Sequence, residues 1–176
     1  MADTQVATLG GGCFWCIDAA FRRVKGVESV QSGYTGGHTN NPSYQDICTG
    51  ESGHAEVVQL HFDPEQVSFA VLLEMFFTLH DPTQLNRQGN DIGTQYRSVV
   101  FYHNAQQQQQ TADYIAQLQA NYDAEIVTEL SPAAEFYAAE SYHQDYYAAN
   151  PNQGYCSILI APKVEKFSKQ FAAYLK

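Results

Sequence analysis

The chain has 176 residues, 44% hydrophobic and 16% charged, enough for one domain with a sizeable core and too apolar for general disorder. Nine basic residues against nineteen acidic give a net charge of −10, a field that repels phosphate backbones and anionic bilayers, so neither a nucleic-acid partner nor a membrane is expected. Met1-Ala2-Asp3-Thr4 opens no signal peptide, no run reaches the roughly 18 apolar residues of a membrane helix, and four cysteines are too few for a disulfide scaffold; a cytoplasmic protein is expected.

In chain order, Val6 to Leu9 reads as a strand, three glycines as a tight turn, and Ala19-Ala20-Phe21 to Val24 as helix. Cys13 and Cys16 lie at that junction, separated by Phe14 and by Trp15, the one tryptophan. Glu28 to Tyr34 is a strand, and Thr35 to Gly53 a long polar loop carrying Pro42-Ser43-Tyr44. Loops of that length are uncommon without a function. His54 to Phe62 alternates as a strand, with Glu56, Val58, Leu60 and Phe62 on one face. Asp63-Pro64 turns the chain, and Ser68 caps a helix to about Leu79. A second long loop, His80 to Tyr96, precedes a buried strand over Arg97 to His103. Asn104 then caps a helix over Ala105 to Tyr122. Glu125 to Leu130 reads as a strand, Pro132 to Ala149, rich in Ala, Glu and Tyr, as helix, and Asn150 to Gly154 as a break. A short apolar run then reaches Ala161, and Pro162 opens a closing helix to Lys176. Strands and helices interleave without a sustained βαβ repeat. The expectation is a single α+β domain over residues 1–176, a mixed sheet covered by helices in two layers.

A cysteine at a helix N-terminus faces unpaired N–H groups and the positive end of the helix dipole, which favours its thiolate and predicts a lowered pKa. Cys13 is therefore the candidate nucleophile. Cys13-x-x-Cys16 also fits a thioredoxin-type redox pair, half of a zinc site lacking its other ligands, or two buried thiols. Glu56 has two readings. On an apolar face its carboxyl would hold its proton to higher pH; as a strand-end residue it would face water.

Several motifs occur in order: Gly12-Cys13-Phe14-Trp15, Gly33-Tyr34 with Gly36-Gly37, Asn41-Pro42-Ser43-Tyr44, Gly53-His54-Ala55-Glu56, and His80-Asp81-Pro82. Arg87-Gln88-Gly89-Asn90-Asp91, Gly93 to Ser98, Phe136-Tyr137, His143-Gln144 and Asn150-Pro151 continue the series. Across nearly its whole length the chain resembles the peptide methionine sulfoxide reductase A family.

The resemblance implies a ferredoxin-like core and reduction of the S epimer of methionine sulfoxide, protein-bound or free, in the repair of oxidised proteins. It implies Cys13 as nucleophile, Glu56 as acid, Tyr44 and Tyr96 as hydroxyl donors, Phe14 and Trp15 as the wall around the substrate methyl, and Asp91 as a carboxylate that orients substrate. It further implies thioredoxin as reductant and no cofactor or metal; a monomer is expected. Cys156 matches a family resolving position, and Cys16 is the alternative. The chain has Cys16 where many members have glycine, Asp18 near where they have glutamate, and no cysteine after Cys156. A general thiol–disulfide exchanger using Cys13 and Cys16 is the rival reading; it needs neither Glu56 nor the tyrosines.

Overall fold

Strand β1 (Gln5–Gly10) carries two buried residues of the core, Ala7 and Leu9, and pairs on one side with β3 (Ala55–Phe62) and on the other with β6 (Val99–Tyr102), antiparallel in both cases. The computed structural model describes residues 4–89, 91–150, 152–154 and 156–176; of Cys156 and Ser157 only the backbone is described. With β2 (Val27–Thr35), β7 (Glu129–Pro132) and β8 (Tyr137–Ala138) these strands form one six-stranded sheet in the order β7-β6-β1-β3-β2-β8. The sheet is mixed, because β7 runs parallel to β6. Its central order β6-β1-β3-β2, joined through α1 (Phe14–Phe21) and α3 (Phe69–Leu79), is the ferredoxin-like βαββαβ arrangement.

The helices form the second layer. Val58, Leu60 and Phe62 of β3 join Phe14, Ile17 and Phe21 of α1 and Leu72, Leu73 and Phe76 of α3 in one core. The long loops are not structureless. The first contains α2 (Tyr44–Cys48), and the second holds a two-residue hairpin, β4 (Arg87–Gln88) with β5 (Asp91–Ile92), and a 3₁₀ turn over Thr94–Tyr96. The proposed caps are present: Ser68 Oγ accepts the Val71 N–H at 3.2 Å, and Asn104 Oδ1 accepts the Gln107 N–H at 2.8 Å to open α4 (Ala105–Leu118). After α5 (Tyr146–Ala149), a π-helical segment Cys156–Ile160 runs into α6 (Ala161–Gln170), which has Pro162 in its first turn.

Two expectations fail in one region. The strand expected over Glu125 to Leu130 begins only at Glu129, and the helix expected over Pro132 to Ala149 is replaced by β7, β8, a 3₁₀ turn Ser141–His143 and the short α5. The edge of β2 overrides the local helix propensity. Tyr137 and Ala138 pair with Tyr34 and Gly33, and the Gln144 side chain then acts as a further peptide unit. Its Oε1 accepts the Ser32 N–H at 2.8 Å and its Nε2 donates to Ser32 O at 2.9 Å. Gly33 permits this docking: a Cβ there would lie 2.4 Å from the Phe136 ring and 2.5 Å from Tyr137 O. Gly33→Ala is expected to cost about 1–3 kcal/mol through overpacking, read as a lowered midpoint in thermal or denaturant unfolding.

Asp18, buried on α1, explains the acidic residue there. It accepts from Arg22 Nε and from Ser32 Oγ at 2.8 Å, fastening α1 to β2, while the Asp145 N–H reaches the same carboxylate at 3.4 Å. The carboxylate is thus paired and hydrogen-bonded, as a buried charge requires.

Candidate active site

Three glycines end β1, and the last of them makes the turn. Gly12 has φ +86°, a Cβ there would lie 2.9 Å from Gln88, and its N–H donates to Tyr96 O at 3.2 Å. Cys13 follows as the N-cap of α1 with extended backbone (φ −64°, ψ 128°), its side chain capping nothing. The Phe14 N–H, next in line, donates to Glu56 Oε1 at 3.2 Å. A first-turn amide that α1 cannot satisfy internally thus binds the carboxyl whose charge acts on Cys13, the candidate nucleophile.

Glu56 is 1% exposed, which decides between its two readings: the carboxyl is in the core face with Val58, Leu60 and Phe62. Burial pushes its pKa up to about 8, opposed by the Phe14 N–H and reinforced by the charge of Asp91. At pH 7 the protonated form therefore predominates. Asp91, on β5, is close enough for its charge to act also on Cys13 and Tyr96.

The lowered pKa expected for Cys13 is corrected. Burial, then the Glu56 charge, then Cys16 raise it well above the ordinary thiol value, and the hydrogen bond with the Trp15 backbone only partly offsets them. Desolvation outweighs the helix terminus here, so the resting sulfur is a thiol. The Glu56 contribution lapses when that carboxyl is protonated, so thiolate and carboxylic acid are mutually compatible.

Tyr44 is the first residue of α2, placed by a capping box in which Ser43 Oγ accepts the Asp46 N–H at 3.2 Å and Asp46 Oδ2 accepts the Ser43 N–H at 2.9 Å. Burial, a hydrogen bond with Cys48 and the Glu56 charge raise its pKa; burial and then Glu56 and Asp91 raise that of Tyr96. Both phenols remain O–H donors throughout the neutral range. Each long loop supplies one of them.

Phe14 is fully buried, whereas Trp15 is partly exposed and stacks on Tyr146, with ring centroids 3.8 Å apart and planes 7° apart. The residues around this wall that the sequence did not single out are His143, Glu140, Tyr146 and Tyr34. Trp15 Nε1 donates to His143 Nδ1 at 3.1 Å, placing the neutral imidazole's proton on Nε2, and the His143 ring lies 4.6 Å from Tyr44 and 5.2 Å from Phe14. Glu140 accepts from Tyr34 Oη at 3.1 Å, from the Tyr44 N–H at 3.2 Å and from Tyr142 Oη at 3.2 Å. Burial alone would raise its pKa, but its own backbone N–H and then these donors hold it below the usual carboxylate range. His143-Gln144 was visible only as part of a motif, and the Glu140 pairings need the tertiary fold.

The two candidate resolving thiols differ in what can be described. Cys16, one turn into α1, is buried with Ala19, Ile160 and Val164, and its backbone N–H donates to Cys13 O at 3.3 Å. The Cys156 side chain lies outside the described residues; its backbone opens the π-helical segment that ends at Ile160, against Cys16. Among the described residues no group of three His, Cys, Asp or Glu side chains could hold a metal ion, and no helix is long and apolar enough to cross a membrane.

A candidate nucleophilic sulfur, a buried carboxyl with a raised pKa and two phenols near an aromatic wall suit oxygen removal from a neutral sulfur substrate. The family model described as peptide methionine sulfoxide reductase matches residues 5–175. A relative from Acinetobacter baumannii (strain AYE), peptide methionine sulfoxide reductase MsrA, is 55% identical over 172 residues, covering 98% of this chain and 99% of its own. Among solved structures, reduced Mxr1 from Saccharomyces cerevisiae aligns with a TM-score of 0.83 at 34% identity, covering 88% of this chain and 90% of that one. Methionine sulfoxide reductase A of Corynebacterium diphtheriae aligns with a TM-score of 0.78 at 38% identity, covering 90% and 80%. The same yeast protein in complex with Trx2 aligns with a TM-score of 0.59 at 23% identity, covering 82% and 85%. The chain belongs to the peptide methionine sulfoxide reductase family and is an oxidoreductase.

Proposed function

We propose that the chain reduces the S epimer of methionine sulfoxide, in oxidised proteins and as the free amino acid, through Cys13. One observation carries the mechanism: the Glu56 carboxyl, protonated at neutral pH by burial, is bound to the first turn of the helix that presents Cys13. A sulfoxide oxygen leaves sulfur only when protonated, and a buried acid with pKa about 8 supplies that proton at pH 7. Tyr44 and Tyr96 donate to the same oxygen, Phe14 and Trp15 enclose the S-methyl group, and Asp91 accepts from the substrate backbone.

The step balances locally. Cys13 Sγ supplies the electron pair, the sulfoxide oxygen takes the Glu56 proton and ends on Sγ as a sulfenic acid, and the thiol proton of Cys13 returns to Glu56. Methionine leaves with its sulfur reduced by two electrons. A second thiol condenses with the sulfenic acid, releasing water and forming a disulfide, which an external dithiol reduces by exchange. The proposed resolving thiol is Cys156, with Cys16 available to form a later disulfide. Thioredoxin is the proposed reductant, in line with the structure of the related yeast Mxr1 with Trx2. The S epimer rests on the family resemblance.

The test uses resolved diastereomers of a methionine sulfoxide peptide and a thiol count before reductant is added. The expected result is methionine from the S form alone, with two thiols lost per methionine. A plain disulfide exchanger forms no methionine, and a binding module consumes no thiol.

A further inference from the structure

We infer that the exposed face of α6 is the docking surface for an acidic thioredoxin-class reductant, with Lys163 and Lys166 at its centre. The inference rests on the proposed reduction of a Cys156-containing disulfide by thioredoxin.

The chain carries nine basic residues, and they are not spread evenly. Lys163, Lys166 and Lys169 lie along α6, while Arg22, Arg23, Lys25 and Lys176 gather where the end of α1 meets the C-terminal turn. The Lys25 N–H donates to Tyr174 O and the Lys176 N–H to Arg23 O, both at 2.8 Å, which holds the end of α1 to the C-terminal turn that follows α6. Only Arg87 and Arg97 lie elsewhere. Arg97 is paired with Glu129 at 3.3 Å, and Arg87 donates to Gly89 O at 2.6 Å. Among the described residues Lys163 and Lys166 make no ion pair, whereas Lys169 pairs with Glu165 at 3.3 Å. Arg22 is held by Asp18 and lies 3.7 Å from Asp145, so among the described residues of this acidic molecule Lys163 and Lys166 are the unpaired cations on the exposed face of α6.

That helix is continuous with the π-helical segment whose backbone begins at Cys156. Ile158, two residues on, is 71% exposed, an isoleucine placed where an interface would cover it. Lys163 and Lys166 also border a cavity of about 320 Å³ whose other walls include His80, Asp81, Gln88 and Tyr122. Its inner wall supports the nucleophile turn, because Gly11 lies against the His80 ring and Gly12 against Gln88. An exposed isoleucine and two unpaired lysines, on backbone continuous with the segment that begins at Cys156, fit a transient redox encounter.

Charge explains why such a face is needed. Two acidic proteins repel at long range, so productive encounter needs a local patch of opposite sign. Once docked, a thiolate of the partner attacks Sγ of Cys156 and releases Cys13 with the bond's electron pair. The partner's second thiol then displaces Cys156, so two electrons and two protons pass from the dithiol to the enzyme.

The full-length enzyme and K163E/K166E are compared at saturating sulfoxide, with either thioredoxin regenerated by its reductase and NADPH, or dithiothreitol. The expected result at low ionic strength is a KM for thioredoxin raised on the order of tenfold, with kcat and dithiothreitol-supported turnover unchanged. K163R/K166R should keep the parent KM. Salt should raise the parent KM and leave that of the reversed variant nearly flat. Equal thioredoxin KM values for parent and K163E/K166E at low salt would overturn the docking surface alone. Failure of thioredoxin to support the parent while dithiothreitol does would overturn the reductant assignment, and the inference with it.

Discussion

Glu56→Gln is expected to slow methionine formation by about 10²- to 10⁴-fold while changing sulfoxide binding little, the range over which a positioned general acid contributes. Glutamine preserves the shape of the side chain, and its amide oxygen can still accept the Phe14 N–H that now meets Oε1 at 3.2 Å. What it removes is the proton. Single-turnover methionine formation against sulfoxide concentration separates the two effects, and a large change in half-saturation with an unchanged maximal rate would make Glu56 a binding residue. The pH dependence adds a second readout. As the proposed acid Glu56 works in its protonated form, and its pKa is raised to about 8, so the rate that depends on it is expected to be retained below that value and to fall as pH rises through it. Glu56→Gln should abolish that alkaline limb. A fall near pH 8 that survives in the variant would have another origin.

The raised pKa of Cys13 bears on the same step. A thiol that stays protonated in the empty site resists indiscriminate oxidation and alkylation, since the thiolate is the reactive form. In the proposed reaction substrate alters its surroundings: the positive end of the S–O dipole would arrive at Sγ while the oxygen engages Glu56, Tyr44 and Tyr96. Activation of the nucleophile and of the leaving oxygen are then coupled through one proton. The Phe14 amide provides the coupling geometry, because it belongs to the residue after Cys13 and is bonded to Glu56.

The sheet and the covering helices were legible because their signals are local: alternation on β3, apolar spacing on α3, and capping residues Ser68 and Asn104. The register of β3 also placed Glu56 beside Val58, Leu60 and Phe62; only burial, at 1% exposure, could separate a core carboxyl from a strand-end one. The segment after Pro132 was illegible for the opposite reason. Its Ala- and Glu-rich composition favours helix, yet Tyr137, Ala138 and the Gln144 side chain complete the edge of β2, more than 100 residues away in sequence at the Ser32–Gln144 bonds. His143 and Glu140 come to the site through that same non-local docking. The thiol pKa was misjudged because a helix terminus can be read in sequence, whereas desolvation and the neighbouring Glu56 charge depend on the assembled core.

Cys156→Ser is expected to leave the first methionine intact and to lower thioredoxin-supported steady-state turnover by about a hundredfold, while Cys16→Ala leaves the first cycle complete. An intramolecular thiol meets the sulfenic acid at a far higher effective concentration than any external dithiol, which sets the size of the loss. The geometry of Cys16 argues for its secondary place. It lies in the first turn of α1, just after the extended N-cap Cys13, and is packed among Ala19, Ile160 and Val164. Residues three apart on a helix have Cβ atoms about 5–6 Å apart, whereas a disulfide needs about 3.5–4.5 Å. Closing Cys13 to Cys16 therefore needs a modest adjustment of the turn that also holds Phe14 against Glu56. Ile160, at the end of the segment that begins with Cys156, packs against Cys16. Mass spectra of peptides from enzyme treated with sulfoxide and then alkylated identify the bonds: Cys13–Cys156 in the parent, and a sulfenic acid trapped on Cys13 in Cys156→Ser. Full cycling by Cys156→Ser together with a Cys13–Cys16 bond would transfer the resolving role to Cys16.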